Sequence, residues 1–324
     1  MMSRRNWILV AAIGLAAVIA LWSFVGGWYG SGPLKQDRHF LVPAGASLSA
    51  VAERLEKQGV VRSAQGFTLR ARIFGGSGAI KAGEFAIPAH ASASRVLGIL
   101  SSDEMVRRFV MVPEGMPSIM VYERLKAQEH LSGEISTPNE GSVLPDSYAY
   151  ENGESRAAVL RRMQAAMTQT LKELWEKRAP GIAVKTPEQA LILASIVEKE
   201  TGKPSERRMV AGLYSNRVRI GMPLQADPTI IYPITKGKPL GRRIRQSEIR
   251  AVNDYNTYTM SGLPKHPITN PGRESIAAVL NPAKTDALYM VADGTGGHVF
   301  AATLAEHNEN VKKWFAIRRE RGEI

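Results

Sequence analysis

Thr186-Pro-Glu-Gln-Ala-Leu-Ile-Leu-Ala-Ser-Ile-Val-Glu-Lys-Glu-Thr-Gly202 is the stretch from which the rest of this chain can be read. Thr186 suits an N-cap, Pro187 the first helical position, and Gln189 the third position as a capping-box partner. From Ala190 to Val197 only Ser195 is polar, so the spacing predicts a helix buried on nearly all sides. A helix of that kind is the centre of a globular domain.

That helix ends on two acids. On a period of about 3.6 residues Glu200 lies over Val197, Ile196 and Leu193, the bulkiest apolar face, whereas Glu198 falls over Ala194, Ser195 and Leu191. A carboxyl held against an apolar face resists ionisation, which is what a general acid near neutral pH needs, so the placement favours Glu200 for that role. The plainer alternative is that both acids finish a solvated last turn beside Lys199 and Lys203.

Working outward, Glu154 to Lys177 is a long helical stretch closed by Pro180-Gly181. After about residue 220 the chain is dense in Pro, Gly, Asn, Thr and Tyr, which predicts strands and ordered loops of the sort that carry a binding cleft. Toward the N-terminus, residues 39–43 predict a short strand, Ser47 opens a helix that Gly59 closes, a second helix runs from about Ser63 to Phe74 into the Gly75-Gly-Ser-Gly78 turn, and residues 83–88 predict a second strand. Val42–Leu55 and Val112–Leu125 share seven of fourteen residues, including V-P-x-G and E-R-L, so two strand-turn-helix units are expected unless V-P-x-G is only a common turn.

Trp7 to Val25 contains no charge, and at about 1.5 Å per residue it matches a hydrocarbon core of about 30 Å. Arg4 and Arg5 precede it, the next charge is Lys35, and Trp7, Trp22, Trp28 and Tyr29 stand near its ends. The positive-inside bias puts the N-terminus in the cytoplasm and about 290 residues outside. A cleaved signal peptide is the rival reading, but its apolar core is usually about 7–15 residues and ends in a small-x-small site.

The chain has 324 residues and no cysteine, which excludes disulfides, thiolate metal sites and cysteine nucleophiles. Its net charge of +12 invites an acidic partner: nucleic acid, anionic lipid or an acidic polymer. His298 and His307 lack the tight spacing of metal ligands, so no metal and no cofactor are expected, and Gly294–His298 reads as a hairpin turn after a strand. The C-terminal stretch from Lys312 is a basic amphipathic helix, expected to be solvated.

The motif L-A-S-I-V-E-K-E-T-G resembles that of the membrane-bound endolytic murein transglycosylases, the MltG or YceG-like family. The likeness continues through Tyr214-Ser-Asn-Arg217, Ile220-Gly-Met-Pro-Leu-Gln225, Ala226-Asp-Pro-Thr-Ile230, Tyr255-Asn-Thr-Tyr258, Asn270-Pro-Gly272 and Tyr289 to His298, with Glu306-His-Asn308. It is dense over residues 190–310 and weaker over 40–150.

The resemblance implies an α+β protein: an N-terminal transmembrane helix, a LysM-like βααβ subdomain, then a mixed α/β catalytic domain with the catalytic Glu on a buried helix. The implied division is 1–6 cytoplasmic, 7–25 anchor, 26–38 linker, 39–108 LysM-like, 109–150 a second strand-turn-helix unit and connector, and 151–324 catalytic. It implies cleavage of the β-1,4 bond between MurNAc and GlcNAc within peptidoglycan strands. O6 of the muramic sugar would attack, leaving 1,6-anhydro-MurNAc ends and ending glycan elongation.

Glu200 would be the one catalytic group, with Glu198, Asn216, Gln225, Asp227, Asn256 and Tyr258 binding substrate. The partners implied are peptidoglycan glycan strands, the cell inner (cytoplasmic) membrane through the N-terminal helix, and cell-wall synthases. Nucleic acid is not expected, because the bulk of the chain lies outside the cytoplasm. Two other readings stand beside this one: a non-catalytic, membrane-anchored peptidoglycan-binding scaffold, and a muramidase that uses water.

Overall fold

The structure, a computed structural model, describes residues 4–75 and 78–323, apart from the Arg5 side chain. Met1, Met2 and Ser3 of the expected cytoplasmic terminus, Gly76 and Ser77 of the Gly-rich turn, the Arg5 side chain and Ile324 lie outside the described residues. The architecture is mixed α/β, and the chain separates into two compact units between Arg108 and Phe109.

The smaller unit begins with helix α1 (Arg4–Tyr29) and continues through β1 (Arg38–Val42), α2 (Leu48–Lys57), α3 (Ala64–Phe74), β2 (Gly83–Ile87) and α4 (Ala93–Ser101). Ser47, Ser63 and Ser92 cap α2, α3 and α4, each hydroxyl oxygen accepting from the backbone N–H three residues on. β1 and β2 pair antiparallel with Phe40 opposite Phe85. Their inward residues pack on Val51 and Leu55 of α2, Phe67 of α3, and Val96 and Leu100 of α4. Glu84, buried in β2, takes both Arg108 terminal nitrogens (2.8 and 2.9 Å) and His39 Nδ1 (2.8 Å).

The apolar part of α1, Asn6–Tyr29, is long and apolar enough to cross a bilayer. The stretch expected as a linker, residues 26–38, begins inside α1 and carries core residues. Gly26 and Gly27 continue α1 as far as Tyr29, Trp28 is 2% exposed, and Leu34 is also buried in the unit's core. Backbone bonds tie Gly32 N–H to His90 O and His90 N–H to Leu34 O. The two glycines weaken the helix locally, but the indole that directly follows them finds a hydrophobic socket, and its burial outweighs glycine's small helix penalty.

The larger unit contains β3 (Arg108–Met111), α5 (Ser118–Lys126), β4 (Ser147–Tyr150), α6 (Arg156–Glu176), α7 (Pro187–Glu200), α8 (Arg207–Arg219), α9 (Asp227–Thr235), α10 (Gln246–Ile249), α11 (Arg273–Leu280), β5 (Tyr289–Ala292), β6 (His298–Ala301) and α12 (Leu304–Glu320). β3 pairs with β4, and β5 with β6 as an antiparallel hairpin. The turns before α2 and α5 both carry a glycine in the left-handed region, Gly45 (φ 73°) and Gly115 (φ 71°).

α7 packs against α6, α8, α9 and α11, and Ile192 to Val197 are all buried. Thr186 Oγ1 accepts from Gln189 N–H, while Gln189 Oε1 accepts from Lys185 N–H, one residue earlier than a standard capping box. The polar break in the apolar run, Ser195, donates to Ile192 O (2.7 Å) and accepts from Ile268 N–H (3.1 Å), which brings the 262–272 loop onto the helix.

The region after residue 220 also differs from expectation. Its loops are as predicted, but its regular structure is mainly the helices α9, α10, α11 and α12, with β5 and β6 as its strands. Pro228 sits in the first turn of α9 and Gly272 is the N-cap of α11, so Pro and Gly here start helices. Because Trp28 belongs to the core of the smaller unit, Trp28→Ala should destabilise that unit by about 3–5 kcal/mol, read by hydrogen exchange of β1 and β2. Unchanged exchange would restore residues 26–38 to the status of a tether.

Candidate active site

Helix α7 delivers its two terminal acids in different directions. Glu198 Oε2 accepts from Gly272 N–H at 2.9 Å, at the N-cap of α11. Glu200 instead lines a cavity of about 440 Å³ with Tyr214 and Arg217 of α8, Gln225, Asp227 at the start of α9, Tyr258, Tyr289 of β5, His298 of β6 and His307 of α12.

Burial is the main cause that pushes the Glu200 carboxyl from its ordinary 4.5 to about 7, and the charge of Asp227 pushes the same way. Against this stand a hydrogen bond with Tyr214 and the positive field of Arg217. Tyr214 is buried and its hydroxyl pKa is raised far above normal, so it stays a neutral donor.

Arg217 is itself buried, and burial lowers its pKa from 12.5, while Tyr214, Tyr289, Tyr258 and Glu200 around it push the other way. It remains a cation, donating from Nε to Leu288 O (2.6 Å) and from Nη1 to Leu224 O (2.7 Å) and Pro223 O (3.2 Å). Its guanidinium also lies over the Tyr289 ring, 5.5 Å from the centroid, and Tyr289 stacks on His307 at 5.2 Å. His307 Nδ1 is buried with no hydrogen-bond partner among the described residues, and burial, then Arg217, keep the ring's pKa below normal.

The opposite wall is set by a pair of threonines. Thr229 Oγ1 donates to Ala226 O (2.6 Å), so in its 2.8 Å contact with Thr257 Oγ1 the Thr257 hydroxyl is the donor. Thr257 Oγ1 also accepts from Ala226 N–H at 3.0 Å. This buried knot fixes the 225–227 segment against the 256–258 segment, and Tyr258 donates to Asp227 Oδ1 at 2.7 Å across the same junction. Gln225, between them, has φ 52°, a left-handed conformation that costs a non-glycine residue about 1–2 kcal/mol.

A third arm comes from Glu206. Burial raises its pKa, but hydrogen bonds from the His298 ring and backbone and from Lys203 outweigh this, leaving it below normal and ionised. As a carboxylate it only accepts, so His298 donates from Nδ1 (2.9 Å) and from its backbone N–H (3.1 Å), and the ring is held at the cavity wall.

Of the predicted site residues, Glu200, Gln225, Asp227 and Tyr258 share the cavity, while Glu198, Asn216 and Asn256 do not line it. The Asn216 amide donates to Thr285 O and Ala287 O, and its carbonyl accepts from Arg219. The Asn256 side chain is 0% exposed; its amide bonds Glu248 O, Ile249 O and Ala251 O, and its carbonyl accepts from Tyr258 N–H.

Both asparagines therefore build the cavity walls, and Glu198 is used by Gly272. Residues the sequence reading passed over are Tyr214, Arg217, Tyr289, His298 and His307. Arg217 left one signal: a cation three residues after a tyrosine on a helix otherwise rich in apolar positions. His298 and His307 were read as structural, and nothing in their spacing pointed to a shared cavity.

The YceG-like family profile matches residues 40–313. This chain belongs to the YceG-like family. Among relatives, a Bacillus subtilis (strain 168) protein named endolytic murein transglycosylase is 27% identical over 312 residues, covering 86% of this chain and 85% of that protein. A protein of the same name from Streptococcus pneumoniae (serotype 2, strain D39) is 34% identical over 179 residues, 53% of this chain and 31% of its own length. A solved yceG-like protein of Listeria monocytogenes superposes with a TM-score of 0.54 at 24% identity, covering 85% of this chain and 98% of that one, and shares the fold. Among the described residues of this YceG-like chain, no group of three or more His, Asp or Glu side chains is placed to hold a metal ion.

Two predictions follow from the geometry. The folded chain holds the Glu200 proton up to about pH 7 and the unfolded chain only to about 4.5, so this carboxyl favours folding below about pH 4.5 and that contribution is lost as pH rises through about 7. Glu200→Gln should therefore unfold at higher temperature than wild type at about pH 8, by about 1–3 kcal/mol, with the difference shrinking toward about pH 5. Asn256→Ala strands three carbonyls and one N–H, and should lower stability by about 1–3 kcal/mol in the same scans. A sugar-binding Asn256 would instead leave the unfolding temperature unchanged.

Proposed function

We propose that this chain is an endolytic murein transglycosylase that cleaves the β-1,4 bond between MurNAc and GlcNAc inside peptidoglycan strands. The observation that carries the reading is the Glu200 carboxyl, held with a pKa of about 7 in a cavity of about 440 Å³. The names of the Bacillus and Streptococcus relatives support it.

In the proposed reaction Glu200 gives its proton to the glycosidic oxygen as the bond from that oxygen to C1 breaks. O6 of the same muramic residue then closes on C1, and the Glu200 carboxylate takes the O6 proton. The carboxyl is regenerated, no water is consumed, and the new end is 1,6-anhydro-MurNAc. Asp227, fixed by Tyr258, faces the positive charge that develops at C1. Gln225, Tyr258, Tyr289 and His298 contact the sugars, the aromatic rings offering faces and His298 a ring oriented by Glu206.

The smaller unit suits a role in holding the polymer, its β1-α2-α3-β2 order being that of a LysM-like module over residues 39–108. Residues 109–150 then act as a second strand-turn-helix unit and connector, and 151–324 as the catalytic part. α1 anchors the chain once in the cytoplasmic membrane, with the N-terminus inside and the remainder outside, where cell-wall synthases work on the same strands. The +12 charge matches the carboxylates of stem peptides and of the lactyl groups.

One observation favours a second reading. Asp227 lines the same cavity as Glu200 and supplies the second carboxylate that a water-using muramidase requires. Mass spectrometry of products from glycan strands separates the two, since anhydro ends are lighter than reducing ends by one water. The proposed function requires anhydro ends from the wild-type chain and a loss of at least about 100-fold in Glu200→Gln, in line with general acid catalysis. Reducing ends would establish the muramidase, and retained cleavage in Glu200→Gln would remove Glu200 from the chemistry.

A further inference from the structure

We propose that the outer face of α3 rests on the bilayer surface from which α1 emerges, and that Arg62 and Arg70 meet the phosphates of anionic lipids there. The inference rests on the reading of α1 as a membrane anchor. A hydrocarbon core of about 30 Å takes about 20 helical residues, and counted from Trp7 these end near Gly26. The helix does not stop there: it continues to Tyr29, and Trp28 is already locked into the core of the smaller unit. The unit therefore starts where the hydrocarbon ends, with no slack between them.

Helix α3 lies at that level. Arg70 Nε donates to Phe24 O at 2.8 Å, and its guanidinium stands 4.9 Å from the centre of the Phe24 ring. The Phe74 ring meets Phe24, Trp28 and Tyr29 at 5.7, 6.0 and 6.2 Å. Gly27 makes room for this approach, because a Cβ at that position would stand 2.6 Å from Arg70 Nη2.

On the outward side, Leu69 and Ile73 are 52% and 58% exposed, and four residues apart they share one face of α3 beside Arg70. Two bulky aliphatic side chains at the water line are unfavourable in water and favourable at the boundary between headgroups and acyl chains. Arg62 and Arg70, with Ser23 and Ser63, line a cavity of about 430 Å³ where α1 leaves the unit. Guanidinium and hydroxyl groups near the boundary of hydrocarbon and headgroups suit a phosphate monoanion, and Trp22 and Tyr29, about 10 Å apart along α1, stand on either side of that boundary.

The absence of cysteine gives a clean probe. Ile73→Cys, Glu53→Cys on exposed α2, and Ile13→Cys in the middle of α1 are each labelled with a nitrobenzoxadiazole dye in the full chain. They are then reconstituted in phosphatidylcholine vesicles with and without phosphatidylglycerol. Nitroxide lipids labelled near the top of the acyl chain should remove most of the emission at position 73 and leave position 53 bright. Deep nitroxides should quench position 13.

The quenching at position 73 should fall when phosphatidylglycerol is omitted or when Arg62→Glu is added. A bright label at position 73 with a quenched one at position 13 overturns the proposal and leaves the anchor standing. Brightness at both overturns the anchor as well. Quenching at position 73 that is indifferent to lipid charge and to Arg62→Glu overturns the assignment of the arginines to lipid phosphates.

Discussion

The larger unit is organised around one unfavourable act, holding the Glu200 carboxyl away from bulk water at the end of an apolar helix and beside a second carboxylate. Desolvation disfavours its charge and Asp227 adds repulsion, so the site would hold a permanently neutral acid if nothing opposed them. Tyr214 and Arg217 oppose them from the neighbouring helix α8. For Arg217 to do so it too has to be buried, and a buried guanidinium needs acceptors for its donors. It finds them in the carbonyls of Pro223, Leu224 and Leu288, which is why the loop before α9 and the start of β5 converge on α8.

The same logic separates residues that shape the cavity from residues that face it. Asn216 sits next to Arg217 and binds the carbonyls of Thr285 and Ala287, so the two side chains together hold the approach to β5. Asn256 gathers three carbonyls of the 248–251 segment and offers its own oxygen to Tyr258 N–H, which aims the Tyr258 ring. The Asn256 amide is joined to backbone at both ends, and the Asn216 amide to backbone through its nitrogen and to Arg219 through its oxygen, so both side chains are committed to the protein's own groups. The polar groups at the surface of the cavity are then aromatic or charged, together with Gln225, whose strained backbone is pinned by Thr257, and apolar residues such as Leu213, Leu224 and Met290 lie between them.

Much of this was legible in the sequence where local physics decides the outcome. The Thr186 cap, the all-round burial of α7, the two helix starts at Ser47 and Ser63, and the different environments of Glu198 and Glu200 all depend on residues within one or two helical turns of each other. What the sequence did not disclose has a different cause. Asn216 and Asn256 carry groups fit for sugars, but their partners lie on the backbone of other segments, in Asn216's case about 70 residues away. His298 and His307 reach the cavity through a hairpin and a late helix whose docking no period reveals. The core position of Trp28, within the stretch expected as a linker, was hidden because its socket is formed by α3, which comes about 40 residues later in the chain.

A carboxyl that serves as acid and then as base within one turnover gains nothing from an extreme pKa in either direction. If Glu200 were as weak an acid as burial and Asp227 alone would make it, it would keep its proton when the glycosidic oxygen needs it. If Arg217 and Tyr214 dominated, it would be ionised before substrate arrived and too feeble a base to take a proton from O6. The opposing influences leave it at about 7, the point at which both transfers are near balance at neutral pH. The position is maintained by geometry rather than by the carboxyl itself: the Thr229–Thr257 knot sets how close Asp227 stands, and the three carbonyls around Arg217 set how close the cation stands. A change in either clamp moves the balance without touching the substrate, which makes those buried polar contacts part of the catalytic design proposed for this site.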